Sequence, residues 1–134
     1  MHHLKCTLAF KVKIIVLGCG NIGTITAQDL AEALPSAQIT LADMDRKRAE
    51  EAAKKTGHEN VSWMQIDASN KRGLIGALKR FDLAVGALPG FMGFEACKAS
   101  IVAGGDVVDV SYVPEDVMVL DKPALKATVC SIGD

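Results

Sequence analysis

The sequence predicts an α/β fold in which helices cover both faces of a parallel sheet of about six strands. Short runs of β-branched and aliphatic residues alternate with longer segments of helical periodicity, and short links join them, which is the pattern of βαβ units. Aromatic residues make up only 4% of the chain although 49% of it is hydrophobic. That composition suits buried parallel strands with closely packed helices. A chain of 134 residues is long enough to form one domain with its own core.

Each predicted element has a local signal. The first helix ends before Pro35, because proline disfavours helical geometry in the residue before it. Asp45 begins a strongly helix-forming segment that Gly57 closes, and Ser69 or Asn70 can cap the next helix. The predicted strands are Val12–Leu17, Ile39–Ala42, Val61–Ile66, Leu83–Val85, Asp106–Val110 and Thr128–Cys130, and the predicted helices are Asn21–Leu34, Asp45–Thr56, a segment from Ser69 or Asn70 to Lys79, Phe91–Ala103 and a short one between Pro114 and Lys126.

Charge and cysteine content argue against several classes of function. The chain has 15 basic and 16 acidic residues and a net charge of −1, so it has no basic surface of the kind that binds nucleic acid. No apolar run approaches the roughly 18 residues of a membrane span. The four cysteines are scattered and no Cys/His cluster has the spacing of metal ligands. We therefore expect free thiols, no metal site and a cytoplasmic location, and the sequence leaves self-association open.

Residues 18–23 read Gly-Cys-Gly-Asn-Ile-Gly, which is the spacing G-x-G-x-x-G between a predicted strand and a predicted helix. That context is what a dinucleotide-binding turn requires. Gly18 permits the tight turn, Gly20 leaves room for a pyrophosphate to approach the backbone, and Gly23 lets the helix pack close to the sheet. The unpaired N–H groups at the helix start favour the diphosphate charge. The sequence therefore predicts a Rossmann doubly wound sheet that binds NAD(H) or NADP(H).

Asp43 ends the second predicted strand, 20 residues after Gly23, where a carboxylate accepts hydrogen bonds from the adenosine ribose. A carboxylate there repels a 2′-phosphate, which favours NAD, but Arg46 is close enough to pair with such a phosphate. NAD is the expected cofactor and NADP the alternative. Asp67, at the end of the third strand, either borders the adenine or caps the next helix. Cys19 is expected to be an inert filler of the turn.

Five segments of the chain have a familiar combination: Val-Leu-Gly-Cys-Gly-Asn-Ile-Gly, Leu-Ala-Asp-Met-Asp, Gln-Ile-Asp-Ala, Ala-Leu-Pro-Gly-Phe and Val-Asp-Val-Ser-Tyr-Val-Pro-Glu-Asp. Together they resemble the saccharopine dehydrogenase family, and within it most of all the lysine 6-dehydrogenase branch. The likeness runs over residues 11–134. Its most specific part is formed by Val107, Asp109, Ser111, Tyr112, Pro114, Glu115 and Asp116.

This resemblance implies the NAD(P)-binding domain of an oxidoreductase that acts at a C–N bond of an amino acid. In such a reaction the amine-bearing carbon gives a hydride to the nicotinamide, and the resulting imine hydrolyses to an aldehyde. No catalytic residue is identified by the resemblance. The residues that it implies around the cofactor are Gly18, Gly20, Asn21, Ile22, Gly23, Asp43, Met44, Asp67, Ala68, Leu88 and Pro89.

Relatives of this kind continue into a second domain that binds the substrate and often forms dimers, and this chain ends at Asp134, about where that domain would begin. We expect residues 1–134 to be one NAD(P)-binding domain with residues 1–10 as a disordered lead-in. The substrate domain is expected to be absent, so these residues alone would bind the dinucleotide with little or no turnover. Two alternatives are a stand-alone nucleotide-sensing module of the potassium-uptake-regulator type and a Rossmann domain of another reductase or sugar-nucleotide family.

Overall fold

The structure is a computed structural model and describes residues 11–88, 90–109 and 131–132. Its strands are β1 (Lys13–Leu17), β2 (Gln38–Asp43), β3 (Val61–Gln65), β4 (Leu83–Gly86), β5 (Asp106–Asp109) and β6 (Ser131–Ile132). Its helices are α1 (Asn21–Ala33), α2 (Arg46–Thr56), α3 (Lys71–Leu78) and α4 (Gly90–Ala103).

The six strands of the described residues form one parallel sheet in the order β3-β2-β1-β4-β5-β6. β1 is central, and its Ile14 is in register with Ile39 of β2 on one side and Leu83 of β4 on the other. The strand order reverses between β1 and β4, and open α/β sheets bind ligands in the crevice beyond the carboxyl ends of the strands at such a point. The predicted doubly wound fold is confirmed.

Two apolar clusters cover the two faces of the sheet, because alternate residues of a strand point to opposite faces. In β1, Ile14 and Val16 belong to one cluster and Ile15 and Leu17 to the other, and each is at most 1% exposed. Alanines on α1 and α2 face the first cluster and let the helix backbones come close to the sheet. The buried residues that α3 and α4 contribute to the second cluster are Leu74, Leu78, Ala96, Cys97, Ala99 and Ile101.

Two of the helices begin with a side-chain cap of the predicted kind. The carboxylate of Asp45 accepts hydrogen bonds from the backbone N–H groups of Lys47 and Arg48 at the start of α2, at 3.0 and 3.3 Å. The side-chain oxygen of Asn70 accepts one from Gly73 N at the start of α3, at 3.2 Å. α1 differs, since its first residue follows Gly20 and no side chain caps it.

The predicted boundaries of the described helices and of β1 to β5 agree with the structure to within one residue. The last described strand lies at Ser131–Ile132, next to the predicted Thr128–Cys130 strand, which is outside the described residues. The lead-in at residues 1–10, the helix between Pro114 and Lys126 and most of the segment with the specific family resemblance are also outside them.

Candidate dinucleotide-binding site

The turn from β1 into α1 needs glycine at two places for its own geometry. Gly18 has a φ of +102°, which L side chains rarely adopt, and a Cβ on it would lie 2.7 Å from the carbonyl oxygen of Ala87. Its N–H donates to the carbonyl oxygen of Ala42, 2.8 Å away. A Cβ on Gly23 would overlap the carbonyl oxygen of Gly18. Both glycines therefore do what the sequence predicts: one makes the turn and the other brings α1 against it.

Gly20 is different, because no contact among the described residues requires a glycine there. Its φ of −74° is ordinary, and a Cβ would meet only the flexible Nη2 end of Arg48, at a normal contact distance of 3.5 Å. The first N–H groups of a helix have no partner within the helix, and no side chain caps α1. The space that a Cβ on Gly20 would fill lies at this uncapped end, and it suits a pyrophosphate that needs both room and N–H donors.

The carboxylate of Asp43 joins the loop after β1 to the loop after β2 at the edge of this crevice. Its Oδ2 accepts a hydrogen bond from Cys19 N at 3.0 Å, and its Oδ1 accepts one from Asp45 N at 2.9 Å. Its side chain is 15% exposed, so an edge of it faces the crevice. Each carboxylate oxygen can accept a second hydrogen bond. Asp43 is therefore fixed in orientation and still able to accept hydrogen bonds from ribose hydroxyls.

A cavity of about 410 Å³ lies beyond the carboxyl ends of β1, β2 and β4, a volume in the usual range for ligand sites. Six of the predicted site residues line it: Gly18, Gly20, Asp43, Met44, Ala68 and Leu88. Ala87, next to Leu88 in the loop after β4, lines it as well, as do residues that sequence reasoning did not assign to the site, namely Leu17, Cys19, Ala42, Arg48, Ile66 and Met92.

Four of the predicted site residues are not part of this lining, and one is outside the described residues. Asn21, Ile22 and Gly23 belong to the first turn of α1, where their N–H groups rather than their side chains would serve a ligand. The fourth, Asp67, does not cap α3, because Asn70 does so. Pro89 is not described.

Asp67 is exposed and lies at the start of the loop between β3 and α3. Its Oδ1 accepts hydrogen bonds from the Ser69 hydroxyl at 2.6 Å and from Ser69 N at 3.0 Å. Both hydrogen bonds lower the pKa of the Asp67 carboxyl, and the bond from the Ser69 hydroxyl contributes more than the bond from Ser69 N. The carboxylate thus shapes a local turn, and the neighbouring Ile66 and Ala68 line the cavity in its place.

The two arginines at the start of α2 have different surroundings, and the sequence interpretation considered only Arg46. Arg46 lies over the ring of Trp63, with its guanidinium carbon 5.4 Å from the ring centroid. Arg48 has its Nε 4.0 Å from Asp43 Oδ2 and lines the cavity. The cation next to Asp43 is therefore Arg48. Residues two apart on a helix point in nearly opposite directions, so only one of the pair can face the crevice.

The thiol of Cys19 is buried in the turn, with 6% of the residue exposed. Burial and then the Asp43 carboxylate raise its pKa from 9.0 to about 12, although Arg48 acts in the opposite direction. The thiol is therefore protonated at neutral pH and is a poor nucleophile. This agrees with the predicted role as an inert filler.

A larger cavity, of about 760 Å³, lies at the opposite edge of the sheet and is lined by residues such as Glu32, Gln38, His58 and Asn60. It lies at the amino ends of the strands, away from the glycine turn and from the start of α1. Ligands of open α/β sheets bind at the other edge, so size alone does not make this cavity the candidate site.

Two properties of the described residues bear on other functions. None of the helices described between residues 11 and 109 is long and apolar enough to cross a membrane. Within the same described residues, no group of three or more His, Cys, Asp or Glu side chains could hold a metal ion.

The strand order, the glycine turn at the point where that order reverses, and the carboxylate at the end of the next strand define a Rossmann domain that binds a nicotinamide dinucleotide. Residues 14–132 match the family model described as the saccharopine dehydrogenase NADP binding domain. The chain therefore belongs to the saccharopine dehydrogenase family, as its sequence suggests. This match favours the dehydrogenase interpretation over a nucleotide-sensing module.

Solved structures with the same fold include saccharopine dehydrogenase (L-Glu forming) from Saccharomyces cerevisiae, which is 22% identical with a TM-score of 0.77 over 90% of this chain and 26% of that one. The WlbA dehydrogenase from Chromobacterium violaceum, in complex with NADH and UDP-GlcNAcA, is 20% identical with a TM-score of 0.68 over 91% of this chain and 35% of its own. UDP-N-acetylglucosamine 3-dehydrogenase GnnA from Acidithiobacillus ferrooxidans is 17% identical with a TM-score of 0.68, over 90% of this chain and 36% of its own. These identities show the fold alone, and the chain spans about a quarter to a third of the length of these proteins.

Proposed function

We propose that this domain binds NAD(H) in preference to NADP(H) and is the cofactor-binding part of an amino-acid dehydrogenase. The observation that carries the proposal is the open space at Gly20, at an uncapped helix start beside a fixed carboxylate. No residue of the part of the chain that the structure describes fills that space, whereas a pyrophosphate needs it. Support for a dehydrogenase comes from the family to which residues 14–132 belong.

In this proposal each part of the dinucleotide has its own group of residues. The pyrophosphate binds at the N–H groups of residues 20–23, and the carboxylate of Asp43 accepts hydrogen bonds from the adenosine ribose. The adenine packs among apolar side chains at the rim, where Met44 is 62% exposed. The complete set of proposed cofactor residues remains Gly18, Gly20, Asn21, Ile22, Gly23, Asp43, Met44, Asp67, Ala68, Leu88 and Pro89.

The preference for NAD follows from the charge of Asp43. Its carboxylate can accept hydrogen bonds from two ribose hydroxyls, but it repels a phosphate at the 2′ position. Its two backbone hydrogen bonds hold it in place, so it cannot turn away without leaving Cys19 N and Asp45 N unpaired. The carboxylate that joins the two loops is therefore also the group that favours NAD(H) over NADP(H).

The proposed reaction is oxidation at the C–N bond of an amino acid, with the nicotinamide as hydride acceptor when it is bound. The residues described here supply binding and orientation of the cofactor, and the proposal assigns no catalytic residue among them. A substrate domain outside these 134 residues completes the site. We also propose a reducing, cytoplasmic location, which the scattered cysteines support.

Replacing Asp43 with asparagine is expected to lower the affinity for NADH by about tenfold or more, because hydrogen bonds to a charged group are lost. The affinity for NADPH should fall less or rise, because the repulsion of the 2′-phosphate is removed. Fluorescence titration with both nucleotides measures the ratio, and thermal unfolding verifies that the variant is folded. Asp29→Asn, on the exposed side of α1, is the control and should leave both affinities unchanged. An unaltered ratio in Asp43→Asn would contradict the proposed role.

The 134-residue chain should bind NADH without producing it from lysine and NAD. Hydride transfer needs the donor carbon held against the acceptor, and such positioning accounts for a large part of catalysis, an effective concentration of about 10⁵ M or more. Absorbance at the wavelength of reduced nicotinamide follows the reaction. Lysine-dependent NADH formation by these residues alone would show that the substrate site is complete without a further domain.

A further inference from the structure

β3 (Val61–Gln65) is at one end of the sheet, and no strand among the described residues lies beyond it. Its ladder hydrogen bonds go to β2, and the ladder ends with the bond from Ile66 N to Asp43 O at 2.9 Å. Because the peptide groups of a strand alternate in direction, the N–H and C=O groups of Trp63 and Gln65 point away from β2. This edge therefore offers backbone donors and acceptors to another strand.

β3 lacks the features that usually keep an edge strand from pairing. Its sequence, Val-Ser-Trp-Met-Gln, has no charged residue and no proline, both of which natural proteins place on exposed edges. Four of its residues are half-buried and Gln65 is exposed, whereas Ile39 and Leu41 at the corresponding positions of β2 are fully buried. A further strand would cover β3 as β3 covers β2.

A groove of about 410 Å³ lies beside this edge, between β3 and α3. One side of it is lined by Met64, which packs against the apolar cluster under α3, and the other side by Gly73 and Gly76. A Cβ on Gly76 would meet nothing within 4 Å, although glycine is unfavourable inside a helix. No packing among the described residues accounts for this glycine, and the space beside it suits a side chain of an added strand.

The surroundings of the edge are positively charged. Residues 44–81 contain nine of the fifteen basic residues but only five of the sixteen acidic ones. An arginine lies beside β3 on each face of the sheet: Arg46 over the ring of Trp63 on the α2 side, and Arg80 in the groove on the α3 side. Asp67 also lines the groove, but its carboxylate is engaged within its own turn. The charge at this edge fits a strand that carries carboxylates.

We infer that the free edge of β3 binds an extended acidic segment of a partner protein, which adds to the sheet as a further strand. In such a complex the backbone hydrogen bonds supply affinity, and pockets for alternate side chains supply specificity. Here the backbone bonds form at Trp63 and Gln65, one set of side chains reaches the groove and Arg80, and the other set reaches Arg46. The surface lies apart from the glycine turn, so the inference does not depend on the proposed function.

A second copy of this chain fits the same edge less well. Pairing of two β3 strands about a two-fold axis would bring each surface against its own copy. Residues 71–80 contain four basic residues and no acidic one, and α2 contains five basic and two acidic ones, so like charges would face each other. A nucleic acid would use the charges but not the alternating N–H and C=O groups of the strand.

The test measures, by fluorescence anisotropy, how the 134-residue chain binds a labelled ten-residue peptide of alternating valine and glutamate. Arg80→Glu should weaken binding about tenfold or more, because an attractive charged contact becomes a repulsive one. Arg72→Glu is the matched control, since it makes the same change of charge at an exposed residue of α3 outside the groove lining. It should alter the affinity less than about threefold, because exposed charges at a distance are screened. Thermal unfolding verifies that both variants are folded.

Amide hydrogen exchange shows where the peptide binds. Exchange at Trp63 and Gln65 should slow about tenfold or more when the peptide saturates the chain, because their N–H groups become hydrogen-bonded. Ser62 and Met64, whose N–H groups already face β2, should change little. This alternation distinguishes an added strand from a peptide held by charge alone.

A selective loss of affinity in Arg80→Glu, together with slower exchange at Trp63 and Gln65, supports the inference. It is overturned if the peptide does not bind, if a peptide with lysine in place of glutamate binds equally well, if Arg72→Glu weakens binding as much as Arg80→Glu, or if the two amides stay unprotected. Sedimentation of the chain alone tests the second copy, and a dimer in which these two amides are already protected would overturn the inference. Tighter binding of a ten-nucleotide oligothymidylate than of the peptide would overturn it in favour of a nucleic acid.

Discussion

Replacing Gly23 with alanine is expected to lower the free energy of unfolding by about 3 kcal/mol, the upper part of the range for forcing extra atoms into a packed site. The new Cβ would overlap the carbonyl oxygen of Gly18, which is backbone and cannot rotate away. Gly18 is itself held by its hydrogen bond to Ala42 and by contact with Ala87. α1 would have to move off the sheet, and nucleotide binding should be lost with it.

Chemical denaturation measures this change directly, and thermal unfolding should show a midpoint lower by about 10 °C. Gly76→Ala is the matched control, since Gly76 lies within α3 and a Cβ on it would meet nothing within 4 Å. That substitution should stabilise the protein by about 0.5–1 kcal/mol, because alanine favours helix more than glycine does. If Gly23→Ala were as stable as the wild type, the close packing of α1 on the turn would be wrong.

Replacing Gly20 with alanine is expected to have the opposite profile: little effect on stability and a large effect on binding. The protein tolerates the Cβ, which meets only the end of Arg48, so the free energy of unfolding should stay within about 1 kcal/mol of the wild type. The same Cβ occupies the space proposed for the pyrophosphate. NADH affinity should therefore fall about tenfold to a hundredfold, as expected for a methyl group forced into a filled contact.

Titration calorimetry of Gly20→Ala with NADH, beside a denaturation curve of the same sample, separates the two effects. The contrast with Gly23→Ala is the informative part, because both substitutions add one methyl group to the same turn. Normal NADH affinity in a stable Gly20→Ala protein would mean that no ligand approaches this glycine. The assignment of the pyrophosphate to residues 20–23 would then be wrong.

The parts of the site that sequence reasoning predicted are those set by fixed spacing along the chain. A turn from strand to helix needs glycine at Gly18 and Gly23 for reasons of backbone geometry and close packing, and that need is visible without coordinates. Asp43 follows from its place at the end of β2. The parallel sheet was predictable from the alternation of strands and helices. Apolar residues that repeat with the period of a strand or of a helix favour that kind of element.

The parts that it missed depend on directions in space. The sequence interpretation considered Arg46 and not Arg48, which is the arginine that lines the cavity. The predicted helix start at Asp45 puts both arginines in the first turn of a helix. Because they are two residues apart, their side chains must point in nearly opposite directions, and the sequence could have shown this. The hydrogen bond from Cys19 N to Asp43 joins residues 24 apart in the chain, and no local pattern encodes it.

The contacts of the Asn60 side chain were not predicted either, because they also depend on directions in space. Its side-chain amide nitrogen lies 3.1–3.3 Å from the carbonyl oxygens of Ala31, near the end of α1, and of Leu34 and Ala37, in the loop that follows. This contact depends on where β3 lies beside β2, so it appears only once the sheet is assembled.

The most direct test of the central claim is the change in backbone amide NMR shifts of the 134-residue chain as NADH is added. We predict that the largest changes occur in residues 18–23, with further changes at Asp43, Met44 and Ala68. Residues 57–60, which border the larger cavity at the opposite edge of the sheet, should not respond. Shifts confined to residues 57–60, or no shifts in the glycine turn at saturating NADH, would contradict the claim that this turn holds a dinucleotide.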